Sequence, residues 1–417
     1  MIVFFNILIH NNFKMISKYG GYLMINKIKM LSKLIEEEVI DLRRRIHQNP
    51  ELRFEEKDTA QLIKDYLIKN NIKLYSNYAD TTAVIGEIGN RDSGPTIALR
   101  ADMDGLPISE TSGLPFASKI PGKMHACGHD AHVAILLGAI NLLSRMKDKI
   151  KGRIIFVFQP AEEGCGGAES LLQKGLIEDF NITMFFGHHV WPGLPAGTYG
   201  LKAGVLTSIS DIIKVDIDGK SAHGSMPQQG KDPIVIASHL ILNIQDLISR
   251  EISPYEAAVL SICKIESGTT HNIIPSKAQL LGTMRCFSEK THKYMLRRLN
   301  QIVTGTADTF DSNAKIFVKN IANPVFNNHE LTLRVTKAAR KYWGHDKTIN
   351  LENPLMVGED FSCFSEKVPS FFGLFGIGGL NGLHSSSFIF DESIIDKAVG
   401  WTVYLALKGL EFAFAKD

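Results

Sequence analysis

Apolar residues recur at three- and four-residue steps through Leu31, Leu34, Ile35, Val39, Leu42 and Ile46, the spacing of one helix face. Asn49-Pro50 ends that helix, because the residue before a proline is pushed out of the helical region. A second helix is expected from about Lys57 to Lys69. Ala83–Ile88, Thr96–Ala101, Arg153–Phe158 and Met184–Val190 read as strands, and Ala131–Met146 as a helix between them. Thr96–Ala101 and Arg153–Phe158 read as buried strands. Strands alternating with helices predict an α/β sandwich around a largely parallel sheet.

The pattern changes near Leu206. Asp211–Asp218 alternates apolar and polar, which suits a half-exposed strand. Pro233–Ser249 reads as a helix, Ala257–Ser267 and Ala278–Phe287 as strands, Glu289–Phe310 as a helix and Ala314–Ile321 as a strand. That βαββαβ order is the ferredoxin-like one. The expectation is therefore an α/β catalytic domain over 30–206 and 322–417, resuming with helices near Glu330–Tyr342 and Glu392–Phe414. A second domain over 207–321 is inserted into it. Residues 1–29 are expected to be a disordered extension or an over-long start, with the domain beginning near Met30. Met1–Ile9 is apolar but too short to span a bilayer, and it lacks the basic segment and cleavage site of a signal peptide.

Length agrees with two domains, since 417 residues exceed what one core ordinarily serves. With 46 basic and 44 acidic residues the net charge is +2, which gives no ground for a nucleic-acid or anionic-membrane partner. Five scattered cysteines, an odd number, fit reduced thiols in a cytoplasmic enzyme better than a disulfide framework.

The chemistry-bearing residues follow strands. Asp102 and Asp104 come after Thr96–Ala101, Glu162 and Glu163 after Phe158, and His189 ends Met184–Val190. In open α/β sheets, ligands bind at these carboxyl ends. Cys127 and His129 flank Gly128 ahead of a helix and can converge from a turn onto one ion. Taken alone, the pair is a weak signal and reads more readily as a buried free cysteine and a helix-capping histidine. Glu162-Glu163 at a strand end needs a reason, because an unpaired buried charge is costly. A metal supplies one: one carboxylate binds it and the other takes a proton from water. His188-His189 offers a single ligand, because strand neighbours point to opposite faces, and spacing does not decide which. His384, in a loop after Phe371–Gly379, and His223, beyond Ser221, read by themselves as surface histidines. Asp102 and Asp104 can orient a ligand imidazole or cap a turn.

Together the motifs resemble one family closely. They are RRIHQNPEL from Arg44, LRADMD from Leu99, MHACGHDAH from Met124, FQPAEE from Phe158, GHHVWPG from Gly187, AHGSMP from Ala222, HNIIP from His271, GEDF from Gly358 and Leu383-His384. From about Leu31 to the C-terminus the chain is similar to dinuclear-metal amidohydrolases of the aminoacylase/carboxypeptidase-G superfamily. The resemblance is to the branch of hippurate hydrolase, N-acyl-L-amino-acid amidohydrolase and the auxin-conjugate hydrolases. It implies two divalent ions, Zn, Mn, Co or Ni, on Cys127, His129, Glu163, His189 and His384. Glu162 would then be the general base toward a water bridging the ions, and Asp104 a supporting carboxylate.

It further implies His223 as an oxyanion donor reaching a neighbouring subunit, and Asn272 and Arg285 as binders of the substrate carboxylate. The implied reaction cleaves an N-acyl amino acid into a carboxylic acid and an amino acid, in a homodimer or homotetramer joined through the inserted domain. N-acetyldiaminopimelate deacetylase and dipeptidase activities share the scaffold. A Cys127 nucleophile or a non-catalytic metal-binding protein are further readings, which leave the carboxylates or the ligand set idle. Position 358 is Gly where alanine or serine is more usual.

Overall fold

The computed structural model describes residues 22–164, 166–379 and 381–414. It divides into two compact units. Among the described residues the first comprises 22–204, 327–352 and 364–414, and the second 205–326 and 353–363. Residues 205–206, 322–326 and 353–363, expected in the catalytic domain, fall in the second unit. The segment 353–363 is tied there by backbone bonds from Ser208 N to Val357 O at 2.9 Å and from Leu355 N to Leu206 O at 2.7 Å.

In the first unit an eight-stranded mixed sheet runs, edge to edge, Lys73–Ser76, Val84–Gly89, Arg153–Gln159, Thr96–Asp102, Met184–Trp191, Ser370–Gly376, Tyr199–Leu201 and Thr348–Asn350. Thr96–Asp102 is parallel to both Arg153–Gln159 and Met184–Trp191, and Ser370–Gly376 is parallel to Met184–Trp191. The pairs toward the Lys73–Ser76 edge are antiparallel. Every residue of Thr96–Asp102, Arg153–Gln159 and Ser370–Gly376 is buried. This burial on both faces explains why they read as unbroken apolar runs rather than alternating ones.

The helix His129–Ser144 is buried from His129 to Leu143, so it packs on all sides and its N-terminus opens inside the protein. Helices Glu36–His47 and Ile395–Phe414 pack on it. The first helix begins before Met30. Residues 22–34 are helical, Ile25 and Ile28 lie in the core, and Lys29 Nζ donates to Tyr342 O at 2.7 Å. Those apolar contacts make 22–29 part of the packed domain, earlier than the expected start; the expectation for 1–21 lies outside the described residues.

The second unit is a four-stranded antiparallel sheet in the order Ala258–Ser267, Lys277–Cys286, Ile209–Asp218, Ala314–Ala322, with helices Pro233–Asp246 and Glu289–Asp308. Ile213, Val215 and Ile217 alternate inward and pack with Ile236, Leu240 and Leu299 in a core of their own. The chain order is the βαββαβ expected from the sequence.

Among the described residues no helix is long and apolar enough to cross a membrane. Among the described residues Cys127 and Cys286 are buried, Cys263 is exposed, and none of the three is in a disulfide.

Candidate metal centre

The carboxyl ends of the parallel strands carry one cluster of donors. The turn Ala126-Cys127-Gly128 delivers Cys127 and then His129, the first residue of the buried helix. Gly128 has φ 82, and a Cβ there would stand 2.4 Å from Val190 Cγ2, so only glycine allows the turn to approach the strand Met184–Trp191 this closely. On that strand His189 points to the turn: Cys127 Sγ lies 3.3 Å from His189 Nε2. His188 points to the other face, where its ring stacks on Phe375 with centroids 4.7 Å apart. Burial lowers the His188 pKa to about 3, so it is a neutral core residue. Of the two neighbours, it is the His189 ring that faces the cluster.

Glu162 and Glu163 leave a tight turn after Arg153–Gln159. Their backbone N–H groups donate to Asp104 Oδ1 and Oδ2, both at 3.1 Å. Asp104 also faces His129 Nδ1, with its backbone O at 2.9 Å and its Oδ1 at 3.2 Å. One carboxylate therefore fixes an imidazole and the two-glutamate turn together. His129 Nδ1–H is committed as donor, which leaves Nε2 facing Glu162 Oε2 and Glu163 Oε1, each 3.9 Å away. His384 arrives from the loop after Ser370–Gly376. Its φ is 63, its N–H donates to Ala126 O at 2.9 Å, and its Nε2 lies 3.2 Å from Glu163 Oε1.

The structure thus brings Cys127, His129, Glu162, Glu163, His189 and His384 to one place. Cys127, His129 and His189 have donor atoms within 4.8 Å of one another; so do Cys127, Glu163 and His384, and so do His129, Glu162 and Glu163. The first two sets share the Cys127 sulfur.

Three features suit a divalent cation. The buried Nε2 of His129 has no hydrogen-bond partner. His189 Nδ1 lies 2.6 Å from Val190 O, a donor arrangement that turns its Nε2 lone pair to the sulfur. The electrostatics point the same way. Burial, then Glu163 and Glu162, push the Cys127 thiol well above its ordinary value. Burial lowers His129, but Asp102 and Asp104 overcome this and hold it up at about 10. Burial resists ionisation of Glu163, yet His384 and His129 bring its pKa down. Excess negative charge that retains protons on a thiol and an imidazole is what a bound cation neutralises.

Sequence reasoning named Asp102 and Asp104 behind these donors but missed the residues that work with them. His132 lies three residues after His129 on the same helix face, a spacing that was available as a signal. Its Nε2 accepts Val190 N–H at 2.9 Å and its Nδ1 meets Asp102 Oδ1 at 2.5 Å. Both nitrogens are engaged, so His132 braces the strand rather than offering a ligand. Arg100 donates to Asp102 Oδ2 at 2.7 Å inside the sheet, and against the cost of burial it holds Asp102 well below the usual carboxylate range. Beside His129, Asp130 Oδ2 takes Arg43 Nε at 2.7 Å and His47 Nδ1 at 2.8 Å.

In the second unit His223 is exposed, and its strand pairs with the one that follows Asn272. Gly224 N donates to Asn272 O at 2.8 Å, so the two sequence-predicted residues are neighbours there. Arg285 donates to Ser210 Oγ at 2.6 Å, and its pKa is lowered by burial.

Known proteins share this arrangement of sequence. A sequence model described as Peptidase family M20/M25/M40 matches residues 98–408. An N-acetylcysteine deacetylase of Bacillus subtilis (strain 168) is 36% identical over 382 residues, covering 92% of this chain and 99% of that protein. Thermostable carboxypeptidase 2 of Saccharolobus solfataricus is 36% identical over 393 residues, covering 92% of this chain and 98% of that protein. A solved Bacillus subtilis structure, described as a dinuclear metal binding peptidase from the M20 family, superposes with a TM-score of 0.78. It is 34% identical and covers 91% of this chain and 99% of that one. On the extent of these matches, the chain belongs to the peptidase family M20/M25/M40.

Proposed function

We propose that this chain is a metal-dependent amidohydrolase that splits N-acyl amino acids into a carboxylic acid and a free amino acid. The observation that carries the reading is the pair of donor sets sharing Cys127, with Glu162 beside them. The relative named as an N-acetylcysteine deacetylase supports the substrate class. The relative named as a carboxypeptidase favours peptides as a second class.

Cys127, His129, Glu163, His189 and His384 would hold two divalent ions, which when bound polarise the acyl carbonyl and acidify water. The thiolate favours softer ions such as Zn²⁺, while imidazole and carboxylate keep Mn²⁺, Co²⁺ and Ni²⁺ compatible. Glu162 takes the proton of the attacking water and hands it to the leaving amine nitrogen, so the C–N bond breaks with a neutral amine departing. Asp104 holds the Glu162 backbone in place and keeps His129 Nδ1 as a donor, with Nε2 turned toward the site. The inserted unit serves as lid and pairing surface of a homodimer or homotetramer. His223 donates to the developing oxyanion, and Asn272 and Arg285 hold the substrate carboxylate. Arg285 makes no ion pair among the described residues, which suits a cation kept for an anionic ligand.

The test is a panel of N-acetyl-, N-benzoyl- and indoleacetyl-amino acids with metal-supplied protein, reading the released amine. Glu162→Gln should lower kcat by roughly 10²–10⁴-fold, the range of general acid–base catalysis. Near-normal turnover in that variant, or no release from any N-acyl amino acid, would contradict the reading.

A further inference from the structure

Glu56 is a carboxylate that the mechanism above does not use. It precedes the helix Lys57–Lys69 and is fully buried. Its Oε1 accepts Ala161 N–H at 3.0 Å and its Oε2 accepts the Thr82 hydroxyl at 2.6 Å. Burial raises its pKa above the ordinary value. Ala161 has φ 52, a left-handed conformation that an L-residue adopts only when its surroundings impose it. The next two amides, of Glu162 and Glu163, are the ones bound by Asp104. Three successive N–H groups are thus each taken by a buried carboxylate oxygen from a distant part of the chain.

The two carboxylates have different tasks. Asp104 holds the amides on the far side of the left-handed residue. Glu56 holds the left-handed residue itself. Without it Ala161 is free to relax toward the ordinary helical or extended regions, and that rotation swings the peptide from which Glu162 departs. We infer that Glu56 is a positioning residue for the general base, fixing the turn at Ala161 and, through it, the direction of the Glu162 side chain. The inference rests on Glu162 being that base. A displacement of about 1 Å at a reacting group costs on the order of 10²-fold in rate, so this turn is a place where a residue remote from substrate acts on kcat.

The experiment compares Glu56→Ala, Glu56→Gln and Thr82→Val with Glu162→Gln, measuring kcat, KM and bound metal at saturating metal. Glu56→Ala should lower kcat by roughly 10- to 100-fold, with KM and metal stoichiometry unchanged. Glu56→Gln should restore kcat to within about threefold of wild type. Its amide oxygen still accepts from Ala161, and its NH₂ donates to the Thr82 oxygen. Thr82→Val, which removes only the hydroxyl, should lower kcat by roughly two- to tenfold.

A kcat for Glu56→Ala within twofold of wild type would overturn the inference. So would a loss that follows metal content, or a Gln variant as slow as the Ala variant. If the Ala variant does not fold, unchanged kcat in Thr82→Val overturns it and a lowered kcat at constant KM supports it. An active Glu162→Gln defeats the reading of the site itself; an inactive Glu162→Gln beside a fully active Glu56→Ala defeats only this inference.

Discussion

Asp104→Asn is the substitution whose cost can be worked most directly from the geometry. The native carboxylate is buried and faces three donors: Glu162 N and Glu163 N at 3.1 Å and His129 Nδ1 at 3.2 Å. Asparagine keeps the shape but presents one oxygen and one NH₂. Whichever way the amide turns, its NH₂ meets a backbone N–H, and one buried donor is left without an acceptor. An unsatisfied buried donor costs about 1–3 kcal/mol, and a charge-assisted bond is worth about 1.5–3 kcal/mol. Allowing for overlap between these, a net of about 2–3 kcal/mol is expected, which at 1.36 kcal/mol per tenfold is roughly 30- to 150-fold.

Because His129 and Glu163 are both proposed ligands, the loss should fall on metal affinity. Calorimetric titration of the chelated protein with Zn²⁺ or Mn²⁺ measures it, with thermal unfolding as control. An affinity within threefold of wild type, together with an unchanged Tm, would refute the idea that Asp104 holds the two halves of the site in register.

Three further outcomes are expected. His189→Ala should lower metal affinity by at least roughly tenfold, whereas His188→Phe should leave it within about threefold, because the two rings occupy opposite faces of one strand; equal losses would contradict this assignment. His47 is held up at about 9 chiefly by Asp130 and Glu110 against the cost of its burial, so the stability it contributes is complete below pH 6.5 and is lost as pH rises through 9. Moving from 6.5 to about 9 is worth about 3 kcal/mol, and denaturant unfolding from pH 6 to 10 should show that extra alkaline loss in wild type and not in His47→Asn; parallel profiles would exclude it. Dialysis against a strong chelator should abolish amide hydrolysis, and divalent metal should restore it; activity that survives chelation would point instead to a thiol mechanism at Cys127.

The sheet was readable because buried parallel strands are plain apolar runs, as in Arg153–Gln159, and because the donors follow those runs directly. The inserted unit was readable from Ile213, Val215 and Ile217, whose alternation marks a strand with one covered face. Other features are set by pairs far apart in sequence and leave no local mark. Arg43 and His47 meet Asp130 from a different helix, and Glu56 meets Ala161. No propensity announces the left-handed Ala161 or His384, since glycine is the residue expected there. The early start of the first helix was obscured because 22–29 is short and mixed in polarity. Its burial depends on Tyr342 and the core around it, which the local sequence does not display.

The most direct measurement is anomalous diffraction from crystals of the metal-loaded protein. Two peaks flanking the Cys127 sulfur, one toward His129 and His189 and the other toward Glu163 and His384, are the expected result. Peaks elsewhere in the chain, or a cluster that stays free of metal under loading that restores activity, would contradict the proposed centre.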